Sequence, residues 1–563
     1  MSEYQLTPAA SLARLKAGVY ATYSLDQIPK WIVEKTFLNG RRYSFKGHEF
    51  QHQVLQDESQ EVNCQKCSQI GMTEAQGRWS MGICKTFPNF SLIYTMPYSN
   101  DAEILCRTRI DPIIAASPDL AQAMNPDMNN SQIKQIGNSF IYFRGTQGNT
   151  QAISIPADCI VSDEIDRSSA HILSQYTSRL THSPWKLRRN FSTPTVDGFG
   201  IAAKMETSRR YRNVCTCNHC NHTFVPDYYQ HVVIPDFHGK LEEVSKPLLA
   251  RIRWKEAKLL CPHCGLVPSL LPANREWVQE NTLEMHDAAG YFVTPFDAPL
   301  LITIPSLVKA STEYARISEF KNQNLGITAQ ESEDVLTLDD LKKSLVFHNL
   351  KDSGLYAMGA DMGLICRIVI GRLDANGVLV IVHREKVPLG NFENRYRQLT
   401  AEYRCLMKVF DSQPYVDLVM RLQSADPNLY AGVFVKSKRV EVFRAQEQKE
   451  DPEAGKLDMR QVQINRNKAL DELVGHIKRQ GLALQANPNE DEDYEKECLD
   501  LKRVQIRDEN GELTYSWEKS AQGNDHYLFA TLYLYAAARM RGMASSSFMP
   551  TSILSTFALR RDV

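Results

Sequence analysis

The chain has 563 residues, 43% hydrophobic and 23% charged, a globular composition long enough for roughly two to four domains. Its net charge of -1 excludes a uniformly basic coat, so any nucleic-acid surface must be local. No run reaches the roughly 18 apolar residues of a membrane span, Met1–Gln5 lacks the basic start and apolar core of a secretory leader, and the 13 cysteines predict reduced thiols or metal binding, not a disulfide framework.

Residues 1–45 form a mixed segment, with a helical pattern around Leu12–Val19 and an aromatic and basic cluster at Arg41-Arg42-Tyr43. From residue 46 onward apolar strands alternate with helical stretches. Ser91–Thr95, Phe140–Phe143 and Cys159–Ser162 read as strands and Asn100–Ile114 as a helix, an alternation that predicts a mainly parallel sheet. Before the first of these strands lies Lys66-Cys67-Ser68-Gln69-Ile70-Gly71-Met72-Thr73. Gly71 and Thr73 stand in the register of a phosphate loop, but Met72 occupies the lysine position and the only basic residue is Lys66, at the start. A long ammonium there can still reach ATP phosphates. Thr73 would ligate Mg²⁺, and the amides around Gly71 would cradle the anion. Cys64 and Cys67 also spell a CxxC, which a zinc knuckle or redox pair would use. Gln51, on the amphipathic run Phe50–Leu55, is placed to read an adenine edge, or is a surface glutamine on a helix.

The run Cys159–Ser162 ends in Asp163-Glu164. A buried strand that delivers two carboxylates to the carboxyl edge of a sheet can hold Mg²⁺ with the first and activate water with the second. Asn190–Thr195 reads as a strand ending in the hydroxyl-rich turn Ser192-Thr193-Pro194, which in helicase-like ATPases senses the γ-phosphate. Residues 206–275 break the alternation. Cys217-Asn218-His219-Cys220 and Cys261-Pro262-His263-Cys264 have the paired spacing of a tetrahedral zinc site, with Cys215 spare and His219 and His263 facing outward. Buried free cysteines are the alternative.

After a polar stretch near 330–353, a second α/β pattern runs from Leu355 to about 541. Its first strand ends in Asp361, the runs Ile365–Leu373 and Val378–Val382 form a hairpin, and Lys408-Val409-Phe410-Asp411 is a further strand. Strand followed by antiparallel hairpin is how an RNase H-like fold begins. Asn489–Glu497 reads as a solvated acidic loop. Asn524-Asp525-His526 opens a helix. Asp361, Asp411 and Asp525 can converge on one sheet edge, hold two Mg²⁺ or Mn²⁺ ions and cut phosphodiesters by in-line water attack. Asp411 or Asp525 could instead be a cap, and Asp417 is a weaker candidate.

In this order the motifs resemble the large terminase subunit of tailed bacteriophages, within it the lambda-like branch. The resemblance rests on Lys66 with Gly71 and Thr73, Asp163-Glu164, Ser192-Thr193-Pro194, the four cysteines, Ala289-Gly290-Tyr291 and Phe320–Gly326. Gln69 departs from it, standing where relatives often carry a second basic residue. The resemblance implies an N-terminal RecA-like P-loop ATPase over 46–345 with a zinc-ribbon-like insertion at 206–275, a linker at 346–354, an RNase H-like nuclease domain over 355–541 and a tail at 542–563. It implies ATP, Mg²⁺ or Mn²⁺ at both catalytic sites, and structural Zn²⁺. Glu164 would be the ATPase base, with Gln51, Lys66, Gly71, Met72, Thr73 and Asp163 around the nucleotide and an arginine finger among Arg109, Arg144 and Arg179. It further implies double-stranded DNA, the small terminase subunit and the portal protein as partners, a homo-oligomer at the portal, no membrane, and work in the host cytoplasm on the procapsid. The rival readings are a DNA-repair or restriction-type helicase-nuclease and a zinc-stapled structural protein.

Overall fold

The computed structural model describes residues 23–147, 155–281, 287–314, 316–329, 335–344, 355–374, 377–435, 440–446, 459–484, 492–507, 513–519 and 523–540. The helical pattern at Leu12–Val19, the linker 346–354 and the tail 542–563 lie outside them. The described residues fall into two compact units, one within Met1–Val233, Glu256–Leu307 and Ser318–Gln330, the other within Ile234–Lys255, Val308–Ile317 and Glu331–Val563.

The first unit is built on an 11-stranded sheet. In chain order its main elements are α1 (Phe50–Gln56), β1 (Glu61–Lys66), α2 (Met72–Thr86), β2 (Ser91–Met96), β3 (Ser139–Gly145), β4 (Cys159–Asp163), β5 (Leu187–Ser192), α3 (Gly200–Glu206), β6 (Arg209–Thr216) and β7 (Ala288–Val293). Across the sheet the strands run β6-β7-β1-β5-β4-β2-β3, all parallel. Antiparallel strands close both edges. The strands β1, β4 and β5 are almost wholly buried, as expected of parallel strands covered on both faces. The strand β5 sits between the phosphate-loop strand β1 and the acidic strand β4, with Gln65 opposite Ser192 and Asp163 opposite Phe191. Three functional loops therefore leave the same sheet edge side by side, the RecA-like arrangement.

Two expectations change in this unit. The stretch 206–275 does not simply interrupt the sheet: its first strand, β6, continues the sheet as a parallel neighbour of β7. The helix expected over Asn100–Ile114 is a helical run from Ser99 to Ala116 with a π-helical turn at Cys106–Ile110.

The second unit has an eight-stranded sheet. Its elements are β8 (Tyr356–Asp361), β9 (Ile365–Leu373), β10 (Leu379–Pro388), β11 (Cys405–Asp411), β12 (Leu429–Phe434), β13 (Gln461–Ile464), α4 (Glu492–Leu499) and α5 (His526–Met540). The order β10-β9-β8-β11-β12 joins an antiparallel meander to parallel strands, the RNase H-like order. Helix α5 is buried from Tyr527 to Ala538 and lies directly on β8. A Cβ at Gly359 would collide with Leu534 N and Ala530 O, so only glycine admits this approach. The acidic run does not read out as a loop: Glu492–Leu499 is helical, and Tyr494, Glu497 and Cys498 are buried. Charge composition misleads there because Glu497 is paired with Arg367, Nη2 to Oε1 at 2.5 Å, a contact 130 residues away.

Candidate functional sites

The loop between β1 and α2 has left-handed residues at Gln69 (φ 60) and Gly71 (φ 74), the backbone alternation that forms an anion-binding nest ahead of a helix N-terminus. Any side chain at Gly71 would be strained, and its Cβ would sit 3.1 Å from Gln51 Nε2. Gln51 is fully buried and donates from Nε2 to Ile70 O at 2.8 Å. It braces the loop here, with Tyr43 OH donating to its Oε1 at 3.4 Å. Met72 turns its side chain into the core, so it brings only a backbone amide to the loop. Cys64 and Cys67 are buried too. Burial pushes the Cys64 thiol up to about 12 and raises Cys67 as well, the opposite of what a redox pair or metal ligand needs.

Lys66 carries the loop's positive charge. Its Nζ lies 2.8 Å from Glu164 Oε1 and is almost fully buried. Burial pulls its pKa down, but Glu164 and Asp163 more than offset that and hold it above the ordinary lysine value. Thr73 Oγ1 donates to Asp163 Oδ2 at 2.8 Å and Tyr94 OH to the same oxygen at 3.3 Å. The other oxygen, Asp163 Oδ1, is buried with no hydrogen-bond partner among the described residues. Burial pushes Asp163 up to about 7, against the pull of Lys66. An orphaned carboxylate oxygen beside a threonine hydroxyl fits the hard, oxygen-only ligand set of Mg²⁺. Glu164 has left-handed backbone (φ 55), which costs a non-glycine residue about 1–2 kcal/mol and marks a functional turn. Its Oε2 accepts from Thr193 Oγ1 at 3.1 Å.

Two residues given no individual role above adjoin this site. Gln323, in a π-helical turn at Lys321–Leu325, accepts from Ser68 N through its carbonyl at 2.6 Å. The left-handed Gly326 (φ 69) seats that segment, since a Cβ there would lie 2.6 Å from Cys67 N. Asp166, two residues beyond Glu164, is buried and bonded both to the turn after β5 and to Ile201 N of α3; Asp163-Glu164-Ile165-Asp166 is visible in the sequence, but its partners are not. Of the three arginines considered as fingers, Arg144 is bound to Gln132 O and Phe143 O, and Arg109 is exposed 3.8 Å from Glu74 Oε2.

The four cysteines converge. Cys217 and Cys264 sulfurs are 3.8 Å apart, as are those of Cys220 and Cys261, and all four lie within 4.8 Å of one another. A zinc ion at about 2.3 Å from four sulfurs separates them by about 3.8 Å, so the thiols fit that metal. Cys215 Sγ instead contacts Ser269 O at 3.6 Å, and His219 and His263 are exposed, as expected.

In the second unit Asp361 and Asp411 end neighbouring parallel strands, with Ala360 opposite Phe410. Asp525 immediately precedes α5. Burial raises Asp361, and the charge of Asp525 adds to it; burial pushes Asp411 up to about 6, with Asp361 contributing. Asp361 thus interacts with both other carboxylates, but among the described residues only the cysteines draw three or more ligand atoms within 4.8 Å. His526 Nδ1 lies 2.7 Å from Asp361 Oδ2, the place a cation would take. Glu497 Oε2 accepts from Tyr527 N at 3.0 Å and anchors the helix start that carries Asp525 and His526.

A RecA-like sheet with a phosphate nest, a lysine, a threonine–aspartate pair and a glutamate at one edge defines a P-loop ATPase. Residues 48–277 match the family "phage terminase large subunit gpA, ATPase domain". Among solved structures, the large terminase of a thermophilic bacteriophage is 11% identical with a TM-score of 0.38, over 85% of this chain and 93% of that one. The HK97 bacteriophage large terminase is 11% identical at 0.31, over 91% and 99%. The large terminase nuclease of thermophilic phage G20c is 15% identical at 0.24, over 35% and 95%. No curated protein matches the chain. Among the described residues no helix is long and apolar enough to cross a membrane.

Proposed function

We propose that the chain is the motor and cutting subunit of a viral DNA-packaging machine: ATP hydrolysis in the first unit drives double-stranded DNA into a procapsid, and the second unit cuts concatemeric DNA. The observation that carries the reading is the pairing of Lys66 with Glu164 beside Asp163 and Thr73. Thr73 and Asp163 hold the Mg²⁺ of ATP, and the amides around Gly71 and Met72 cradle the phosphates. Gln51 braces the loop, and we assign it the adenine edge. The phosphates compete for the Lys66 ammonium. Glu164, no longer neutralised, takes a proton from the attacking water. Thr193, bonded to Glu164, reports the change to the Ser192-Thr193-Pro194 turn.

Asp361, Asp411 and Asp525 hold divalent metal, Mg²⁺ or Mn²⁺. A divalent metal held there would supply Lewis-acid polarisation of the scissile phosphate and a more acidic attacking water. The residues themselves bind and space the ions, while Glu497 and the β8–α5 contact keep Asp525 in reach. Cys217, Cys220, Cys261 and Cys264 hold a structural Zn²⁺. The ATPase domain spans 46–345 with its insertion at 206–275, the linker spans 346–354 and the nuclease 355–541. The small terminase subunit, the portal protein and further copies of the chain are the partners, at the procapsid in the host cytoplasm. A helicase-nuclease would need a second RecA-like sheet, whereas the second unit has the RNase H-like order. The test is ATP hydrolysis by the full chain with and without duplex DNA. Turnover stimulated by duplex DNA is expected; no turnover, or stimulation by single strands alone, contradicts the motor.

A further inference from the structure

Directly after the acidic pair the chain makes a short 3₁₀ turn, Ile165–Arg167, with Asp166 at its centre. This aspartate is buried, and among the described residues no lysine or arginine is bonded to it. Its carboxylate is held by neutral donors: Thr195 N and Thr195 Oγ1 each at 2.9 Å to Oδ2, and Ile201 N at 2.8 Å to Oδ1. Its own amide donates to Ser192 Oγ at 3.2 Å. Asp166 therefore grips the hydroxyl-rich turn on both sides, at Ser192 and at Thr195, while Glu164 holds its middle at Thr193. It also grips the first turn of α3. Gly200 there is left-handed (φ 53), and a Cβ would collide with the Asp166 carboxyl group.

A buried carboxylate is costly unless its partners are well placed. Burial pushes this one up to about 6. A merely structural cap would be served by an uncharged group. What a carboxylate adds is three strong acceptor contacts to two segments at once. Helix α3 packs Ile201 and Met205 against Ile165. It leads directly into β6, on which the cysteine module begins. A shift of the Glu164 turn thus has a short covalent and hydrogen-bonded route to α3 and from there to β6.

We propose that Asp166 is a positioning residue that couples the ATP site to movement of the Ser192–Thr195 turn and of α3, acting on what hydrolysis drives and not on hydrolysis itself. The inference rests on the ATPase reading above. It is tested in the full chain with Asp166→Asn, whose amide NH₂ faces one of the backbone donors and breaks the grip at little change in volume. Hydrogen exchange over residues 195–206 is measured with and without a non-hydrolysable ATP analogue, beside ATP turnover and DNA length packaged per ATP. Wild type is expected to show a nucleotide-dependent change in exchange across α3. In Asp166→Asn that change should be lost and DNA moved per ATP should fall about tenfold, with the KM for ATP within about twofold of wild type. Retention of the exchange response, or loss of turnover in step with packaging, overturns the proposal. Should Asp166→Asn not fold, Thr195→Val carries the test: it removes one of the three donors and should weaken the same response, and an undiminished response overturns the proposal. Glu164→Gln separates the two failures. If it hydrolyses ATP at the wild-type rate, the ATPase reading itself is wrong; if it is inactive while Asp166→Asn responds like wild type, only the coupling role is.

Discussion

In the first unit Glu164 already has a cation, Lys66 at 2.8 Å, and Asp163 has the hydroxyls of Thr73 and Tyr94. In the second unit no lysine or arginine forms an ion pair with Asp361, Asp411 or Asp525 among the described residues, and the close partner of Asp361 is His526. Both centres sit at the carboxyl ends of buried strands, yet they settle their charge differently. One carries its own cation, Lys66, which on the proposed reading substrate phosphates would draw away. The other sets Asp361 against both Asp411 and Asp525, with His526 beside it and no lysine or arginine ion pair among the described residues. On the proposed reading, the first arrangement would free Glu164 as a base when ATP arrives, and the second would make cutting depend on metal.

The contrast can be broken in several ways. The largest expected effect is on cutting. Asp361→Ala should lower metal-dependent DNA cleavage by about a thousandfold or more, while DNA-stimulated ATP turnover stays within about twofold; a parallel loss of turnover would mean the two centres are not separate. Next, Lys66→Gln removes the internal cation and should reduce ATP turnover by about a hundredfold, with weaker nucleotide binding and intact cleavage. An unaffected turnover would show that another basic residue serves the loop.

The cysteine module offers a third test, since soft thiolates there stand ready at zinc spacing whereas the acids do not stand ready for theirs. Purified chain should contain one zinc. Cys217→Ser should remove it and lower stability by several kcal/mol, about what loss of a structural metal costs a small module. A melting curve and metal analysis check both.

The smallest effect has the least expected sign. Asp411 is held near 6, above its unfolded value of 3.8, so the folded state binds the extra proton between those two pH values. Stability then falls as pH rises from about 4 to about 6 and stays lowered above that. Asp411→Asn should therefore raise the melting temperature of the metal-free protein at pH 8 by a few degrees while abolishing cleavage. Excess Mg²⁺ or Mn²⁺ should stabilise the wild type and not this variant. A lower melting temperature for Asp411→Asn without metal would show that the carboxylate is already satisfied.

Strands that end in acids were readable because a short apolar run bounded by turn residues is a local signal. Cys159–Asp163 and Tyr356–Asp361 appear where that pattern puts them, and Cys405–Asp411 contains the run Lys408–Asp411 but starts three residues earlier. The cysteine pairs were readable from spacing alone. What remained hidden depends on contacts far along the chain. Arg367 makes a buried helix face of a stretch that composition marks as solvated. Gln323 reaches the phosphate loop from 255 residues away, as the numbers of its partner Ser68 show. Asp166 looks like any acidic residue after a strand until its bonds to Thr195 and Ile201 are seen. The replacement of the loop lysine by Met72 was readable, but not its consequence, which is a methionine side chain folded into the core and Lys66 left as the loop's only ammonium.

The central claim is that Glu164, released from Lys66, is the base of a DNA-driven ATPase. It is tested most directly by DNA-stimulated ATP turnover and nucleotide binding in Glu164→Gln, measured in the full chain. Turnover should fall by about a hundredfold to ten-thousandfold, with binding of ATP retained or tightened because Lys66 no longer has a charged competitor. Turnover near the wild-type rate, or loss of nucleotide binding together with turnover, would contradict the account.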